Sequence, residues 1–382
     1  MAKAKAHTPP TQTETAAERE RRERQAIFAR CARFLSGHGL TRPKQALAAL
    51  AEATGEEEES DRYGEGALIA DFEREVAALL GKEAAVFLPS GTMAQQIALR
   101  VWSERTGRAT VAFHPTCHLE LHEQRGYARL HGLHARLVGD PLQLLTLSDL
   151  EGVAEPVAAL LIELPQRELG GLLPSWEELS AQAAWARARG AAAHLDGARL
   201  WESAPFYGKS YAEIAALFDT VYVSFYKGVG ALAGAALAGP ADFIAEARIW
   251  QRRHGGNLIH LYPYVLSARL NLRRRLPRFP AYHAQALRVA AVLAAIPGIS
   301  LAPNPPHAHM MHVYLRGDRE RLLAESLAIA REERVALFQG LMATDVPETW
   351  KFELTVGDAA EALGDDELRA FFTRIARAGQ ER

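Results

Sequence analysis

The sequence predicts a mainly parallel α/β domain followed by a smaller α+β domain. Two observations carry that expectation. Between residues 84 and 226, short apolar stretches alternate with segments whose apolar residues recur at helical spacing. Strands separated by helices pair in parallel, and the helices cover both faces of the sheet. After about residue 275 the order changes to one long helix, short strands and a final helix. A chain of 382 residues is long enough for one large core and a second, smaller one.

The elements follow in order. Residues 1–24 are polar and charged and predict a disordered tail, because they cannot bury enough apolar surface to offset chain entropy. An N-terminal arm covers 25–62, with a helical segment at about 44–54 and an acidic run, EEEESDR (56–62), that reads as a solvated linker. The large domain spans 63–275. In it ALIADFEREVAALLG is a helix stopped by Gly81, and EAAVFLPSGTMAQQIALRVW is a strand, a tight turn and a second helix. VAALLIEL (157–164) and AAAHLDG (191–197) are buried strands on either side of the helix SWEELSAQAAWARARG. DTVYVSFY (219–226), rich in β-branched and aromatic residues, is a further strand. The small domain, 276–382, holds the helix AYHAQALRVAAVLAAI, the strands MHVYLRG and WKFELTV, and the last helix DDELRAFFTRIARA.

Bulk properties exclude several classes. A formal net charge of −2 gives no general attraction to nucleic acid or acidic membranes. Two cysteines, Cys31 and Cys117, are too few for a disulfide framework and fit a reducing compartment. The polar N-terminus lacks the apolar segment of a secretory signal, and no apolar run is long enough to span a bilayer. The expectation is a soluble cytoplasmic protein acting on a small molecule.

Three signals fall at strand ends, where open α/β sheets place their ligands. In PSGTMAQQ (89–96), Ser90, Gly91 and Thr92 precede a helix, so free backbone N–H groups can receive an anion or simply form an N-cap. In HLDGAR (194–199), Asp196 ends an apolar strand and requires a cationic or hydrogen-bonding partner. A protonated pyridine nitrogen is such a partner, and Arg199 three residues on could grip a carboxylate; a structural Asp–Arg pair is the plainer reading. In VSFYKGVGALAG (223–234), Lys227 follows a buried strand and precedes small residues, a desolvated setting in which lysine condenses with aldehydes. The glycines there superficially match a dinucleotide fingerprint, but no convincing helix follows them. An anion turn, then Asp–x–x–Arg, then Lys–Gly is the order of fold-type I pyridoxal-phosphate (PLP) enzymes.

The chain resembles the low-specificity threonine aldolases of the β-eliminating lyase group. The segments that carry the resemblance are T-R-P at 41–43, DRYGEGALIADFEREVAALLGKEAAVFLPSGT (61–92), HLDGAR and SFYKGVGALAGAALAG. It covers residues 41–275 well and the remainder loosely. The resemblance implies PLP carried by Lys227, Asp196 at the pyridine nitrogen, Arg199 at the ring oxygen and substrate carboxylate, and Gly91 with Thr92 around the phosphate. It also implies His118 stacked on the pyridine face, with Glu123 behind it. Ser90 and Ser224 join the expected cofactor set, and Tyr63, Gln166 and Arg167 join Arg199 on the substrate side.

His114, His118 and His122 repeat every fourth residue beside Cys117, which on a helix would give a metal-binding face. Pro115 and the lack of a matching carboxylate weigh against it, so no metal site is expected.

Several positions depart from the family. SGHG (36–39) replaces a carboxylate-holding Arg–Ser–Asp–Thr, and ELPQREL (163–169) replaces a segment with a histidine near the substrate. Tyr226 stands where serine usually precedes the lysine, and GGNLIH (255–260) loses an arginine that crosses a subunit interface. Lys351 is the nearest cation to a missing C-terminal arginine. The implied activity is a PLP-dependent carbon–carbon lyase of amino-acid metabolism, converting β-hydroxy-α-amino acids such as threonine to glycine and an aldehyde. Two alternatives stand beside it: β-elimination or another amino-acid transformation, and a non-catalytic PLP-fold binding protein. A homodimer or homotetramer is implied as well.

Overall fold

Apolar strands of four to six residues, bounded by turns and helices, fix the architecture of the computed structural model, which describes residues 16–381. A short strand, β1 (Arg33–Phe34), precedes seven strands of the large sheet. These are β2 (Ala84–Leu88), β3 (Thr110–Phe113), β4 (His134–Leu137), β5 (Ala159–Glu163), β6 (Ala192–Gly197), β7 (Thr220–Ser224) and β8 (Ala235–Gly239). Their order is β2-β8-β7-β6-β5-β3-β4. Only β8 is reversed, pairing antiparallel with both β2 and β7. The strand that follows Lys227 and its glycines is this β8, so the Rossmann alternative has no helix to rest on. Strands β6 and β7 are buried throughout, as expected where helices cover both faces.

Register positions the chemistry. On β5, β6 and β7, Glu163 pairs with Asp196 and Asp196 with Tyr222, so three polar side chains share one row at the carboxyl edge of the sheet. The helix Gly91–Thr106 starts at the same edge after β2; Ser90 caps it by accepting the Met93 N–H, and Gly107, at φ 67°, ends it.

The C-terminal domain is built on β9 (Ile299–Ala302), β10 (Met310–Arg316), β11 (Val335–Ala336), β12 (Met342–Ala343) and β13 (Thr349–Thr355). Four of them form an antiparallel sheet in the order β12-β13-β10-β9. The helix Phe279–Ala294 joins the two domains: Phe279 and Tyr282 lie in the large core, and Ala286, Val289 and Leu293 lie in the small one. Strand β11 pairs with β1, and Leu35 enters the small core, so the first part of the arm docks on the C-terminal domain.

Two expectations for the N-terminal region change. The expected tail is helical from Ala16, within the helix Ala16–Phe28; its residues 1–15 lie outside the described residues. The acidic run is solvated at Glu56, Glu57, Glu59, Ser60 and Arg62, but two of its carboxylates are anchored. Glu58 pairs with Arg269, and Asp61, 1% exposed, accepts N–H bonds from Gly64, Leu261 and Tyr262 at 2.8–3.0 Å. Asp61 therefore satisfies orphan donors at the start of the helix Tyr262–Arg275, a role that only the tertiary fold reveals. Among the described residues no helix is long and apolar enough to cross a membrane.

Candidate active site

Strand β6 carries a buried carboxylate at its end. Asp196 is 3% exposed and accepts one hydrogen bond, from Ala198 N–H at 3.1 Å. Burial pushes its carboxyl up to about 6, against the Ala198 bond and the nearby His118, which act to lower it. Glu163, its register partner on β5, is pushed up to about 8, chiefly by burial and then by the Asp196 charge. Its Oε1 accepts the Arg167 N–H at 3.1 Å, while its buried Oε2 has no partner among the described residues. Two carboxylates in so dry a place favour a shared proton or a cationic guest.

Lys227 follows β7 and is partly buried, with its Nζ 5.3 Å from the centre of the Tyr226 ring. Burial, then Arg199 and Arg167, hold its amine below the usual lysine range, which favours the neutral nucleophile. The loop carrying it is clasped from three directions. His38 Nε2 lies 2.8 Å from Gly228 O, Arg275 Nη1 donates to Val229 O at 2.8 Å, and a Cβ at Gly228 would strike the Glu202 carboxylate. Glu202 in turn lies 2.8 Å from His309 Nε2, both side chains 1% exposed.

His118 opens the short helix His118–Leu121, its Nδ1 2.9 Å from Glu123 Oε1. The glutamate side chain is buried and the histidine about one-third exposed. A carboxylate on Nδ1 fixes the tautomer that leaves Nε2 as an acceptor. His114 turns away to the Asp140 and Gln143 carbonyls, and His122 pairs with Glu168. The histidine triplet thus divides among three tasks, and the described residues contain no cluster suited to a metal ion. Cys117, fully buried beneath Glu163 and Asp196, has its thiol pushed up chiefly by burial.

At the other end, Gly91 allows no side chain: a Cβ would overlap the Tyr222 hydroxyl and crowd that of Tyr226. Two phenol groups therefore lie at the N-terminus of the helix Gly91–Thr106, beside Ser90 and Thr92, where amide N–H groups are free. Ser224 is wholly buried and its hydroxyl accepts the Tyr226 N–H, shaping the turn before Lys227.

On the substrate side, Arg199 is 9% exposed and follows β6 directly. Arg167 Nε lies 2.8 Å from Glu353 Oε2 on β13. Gln166 gives its side-chain amide to Thr116 Oγ1 at 3.0 Å, tying the Arg167 loop to the His118 loop. Tyr63 stands apart at φ 56°, more than half exposed, its N–H bound to Ile259 O. No hydrogen bond, ion pair or ring contact among the described residues joins it to this group.

The donor set fits PLP. Asp196 is a buried carboxylate with a single hydrogen bond, Lys227 is a desolvated amine without an ion-pair partner among the described residues, and the Gly91 turn is an anion cradle without room for a Cβ. Sequence reasoning missed Glu163, Glu353, Tyr222 and the Glu202–His309 pair. Glu163 had a signal, since it ends a buried strand much as Asp196 does.

Comparison with known proteins agrees with the geometry. Residues 40–316 match the family described as beta-eliminating lyase. The chain is 28% identical to low-specificity L-threonine aldolase 1 of Arabidopsis thaliana over 79% of this chain and 86% of that one. A solved structure from Listeria monocytogenes EGD-E, a proposed L-allo-threonine aldolase, is 43% identical with a TM-score of 0.89, covering 94% of this chain and 99% of that one. One from Exiguobacterium sp. 255-15, a proposed aromatic amino acid beta-eliminating lyase/threonine aldolase, is 43% identical with a TM-score of 0.88, covering 93% and 99%. With this fold and these matches, the chain belongs to the beta-eliminating lyase family, has the fold of the fold-type I PLP enzymes and is related to the threonine aldolases.

Proposed function

We propose that this enzyme cleaves, and in reverse forms, the Cα–Cβ bond of β-hydroxy-α-amino acids such as threonine, giving glycine and an aldehyde. The observation that carries this reading is the His118–Glu123 pair at 2.9 Å, a base held in one tautomer among residues suited to PLP. Bound PLP supplies the electron sink for charge developing at Cα. Asp196 would keep the ring nitrogen protonated, and Lys227 would hold the cofactor until the substrate amine takes its place. Arg199 would hold the substrate carboxylate through its planar fork. His118 Nε2 would accept the β-hydroxyl proton as the carbon–carbon bond breaks, and Glu123 would stabilise the resulting imidazolium.

The two proposed activities of the 43%-identical structures, L-allo-threonine aldolase and aromatic beta-eliminating lyase/threonine aldolase, support an amino-acid substrate. β-Elimination is the second reading, supported by the proposed activity of the Exiguobacterium structure, which names it beside threonine aldolase. Purified protein loaded with PLP and mixed with threonine or phenylserine should release glycine. Pyruvate and ammonia from serine or cysteine, without glycine from any β-hydroxy amino acid, would replace the first reading by the second.

Two buried, unpaired cysteines support a cytoplasmic location. Exposed Tyr63, Leu258 and Ile259, adjoining through the Tyr63–Ile259 hydrogen bond, support self-association as a homodimer or homotetramer. Sedimentation velocity tests it: a monomer at micromolar concentration would count against an oligomer.

A further inference from the structure

The small domain delivers a carboxylate to the arginines of the large one. Glu353 lies on β13 opposite His312 of β10. Its Oε2 lies 2.8 Å from Arg167 Nε, and its Oε1 stands 3.7 Å from Arg199 Nη2. The two arginines are not equivalent. Arg167 also donates Nη1 to Glu168 at 2.7 Å, so its charge is doubly matched within the protein. The Arg199 side chain is only 10% exposed, yet its guanidinium makes no hydrogen bond among the described residues, and Glu353 is the one carboxylate within 4.0 Å. A guanidinium nine-tenths buried that makes no hydrogen bond to the protein leaves its five donors available to a ligand. The α-carboxylate of an amino acid has the matching planar, bidentate shape.

We propose that Glu353 is the resident occupant of the substrate-carboxylate subsite, competing with the amino acid for Arg199 and Arg167 and so setting how tightly the enzyme holds its substrate. The proposal rests on the amino-acid reading above. Two carboxylates drawn to one guanidinium repel each other, so the incoming group binds fully only as Glu353 withdraws. Lys351, two residues earlier and therefore on the same face of β13, has no ion pair among the described residues and offers the displaced carboxylate a partner. The chain thus carries its own acid where a clamping arginine would raise affinity, and the contact it breaks on binding is one that joins the two domains.

The test is calorimetric titration of the PLP-loaded enzyme with glycine and with ethanolamine, an amine of similar size without the carboxylate. Glu353→Gln keeps the shape of the side chain and an oxygen to accept from Arg167, and should tighten glycine binding about tenfold, equivalent to about 1.4 kcal/mol, while leaving ethanolamine nearly unchanged. Glu353→Asp keeps the charge and should not tighten glycine binding. Glycine binding that is unchanged or weaker in Glu353→Gln, equal tightening for ethanolamine, or no glycine binding by either protein would overturn the proposal. Because glycine has no Cα–Cβ bond to cleave, failure of the aldol reaction leaves this result readable on its own.

Discussion

Glu163 and Asp196 face each other across neighbouring parallel strands, so two carboxylates meet at the carboxyl edge of the large sheet with one hydrogen bond each from backbone N–H groups. This pairing makes the cofactor-free site acidic and proton-retaining. Burial and then the Asp196 charge push the folded Glu163 carboxyl up towards about 8 from an ordinary 4.5, so between those pH values the folded state binds the extra proton. Stability from that proton is present below about pH 4.5 and is lost as pH rises towards 8. The melting temperature of the cofactor-free protein should therefore fall from pH 5 to pH 8, and Glu163→Gln should reduce that fall by about 3 °C or more. Parallel melting profiles for both proteins would show that Glu163 does not hold the proton.

The Gly91 cradle makes a steric prediction. Gly91→Ala places a methyl group against the Tyr222 hydroxyl, at a site packed against a strand rather than open to solvent. Overpacking of this kind costs about 1–3 kcal/mol, and here it acts on the anion turn. PLP affinity, read by absorbance or fluorescence titration of the cofactor-free enzyme, should weaken about tenfold or more. Unchanged affinity would move the phosphate away from this turn.

The two roles proposed for His118, stacking on the cofactor ring and taking a proton, are separated by one substitution. His118→Phe keeps a flat ring for stacking and removes the nitrogen paired with Glu123. The variant should retain PLP while kcat for β-hydroxy amino acids falls about 100-fold, a typical general-base contribution. A variant that keeps its kcat would assign the proton to another group.

His309 and Glu202 form a pair 2.8 Å apart in the dry layer behind the Lys227 loop, joining β10's lead-in to the helix Leu200–Tyr207. Removing one partner leaves the other buried beside an empty space. His309→Ala should cost about 3 kcal/mol in urea unfolding, measured from the transition midpoint. A midpoint equal to that of the parent would mean that the pair adds nothing to stability.

Residues that act through local sequence were legible before the fold was seen. Asp196 lies at the end of an apolar strand, Lys227 three residues after one, and Ser90 caps the helix it precedes, so strand periodicity and turn chemistry place them at the sheet edge, while their cofactor roles come from the family resemblance. Residues whose role comes from a distant partner were not. Asp61 sits in an acidic run, and nothing in that run shows that helix donors two hundred residues later bury it. Glu353 reads as the polar half of an alternating strand; that it meets Arg167 follows only from how the two domains pack. Tyr222 looked like β-propensity, and its position at the Gly91 turn depends on sheet order. Tyr63 enters the substrate set only through the family resemblance, and in this fold it lies on an exposed turn.

The Lys227 amine is the group on which the proposed chemistry turns. Borohydride reduction of the PLP-loaded protein, followed by peptide mass mapping, should fix one cofactor to Lys227, and Lys227→Ala treated alike should retain none after dialysis. Equal covalent labelling of the Lys227→Ala variant, or labelling of the parent at another lysine, would contradict it.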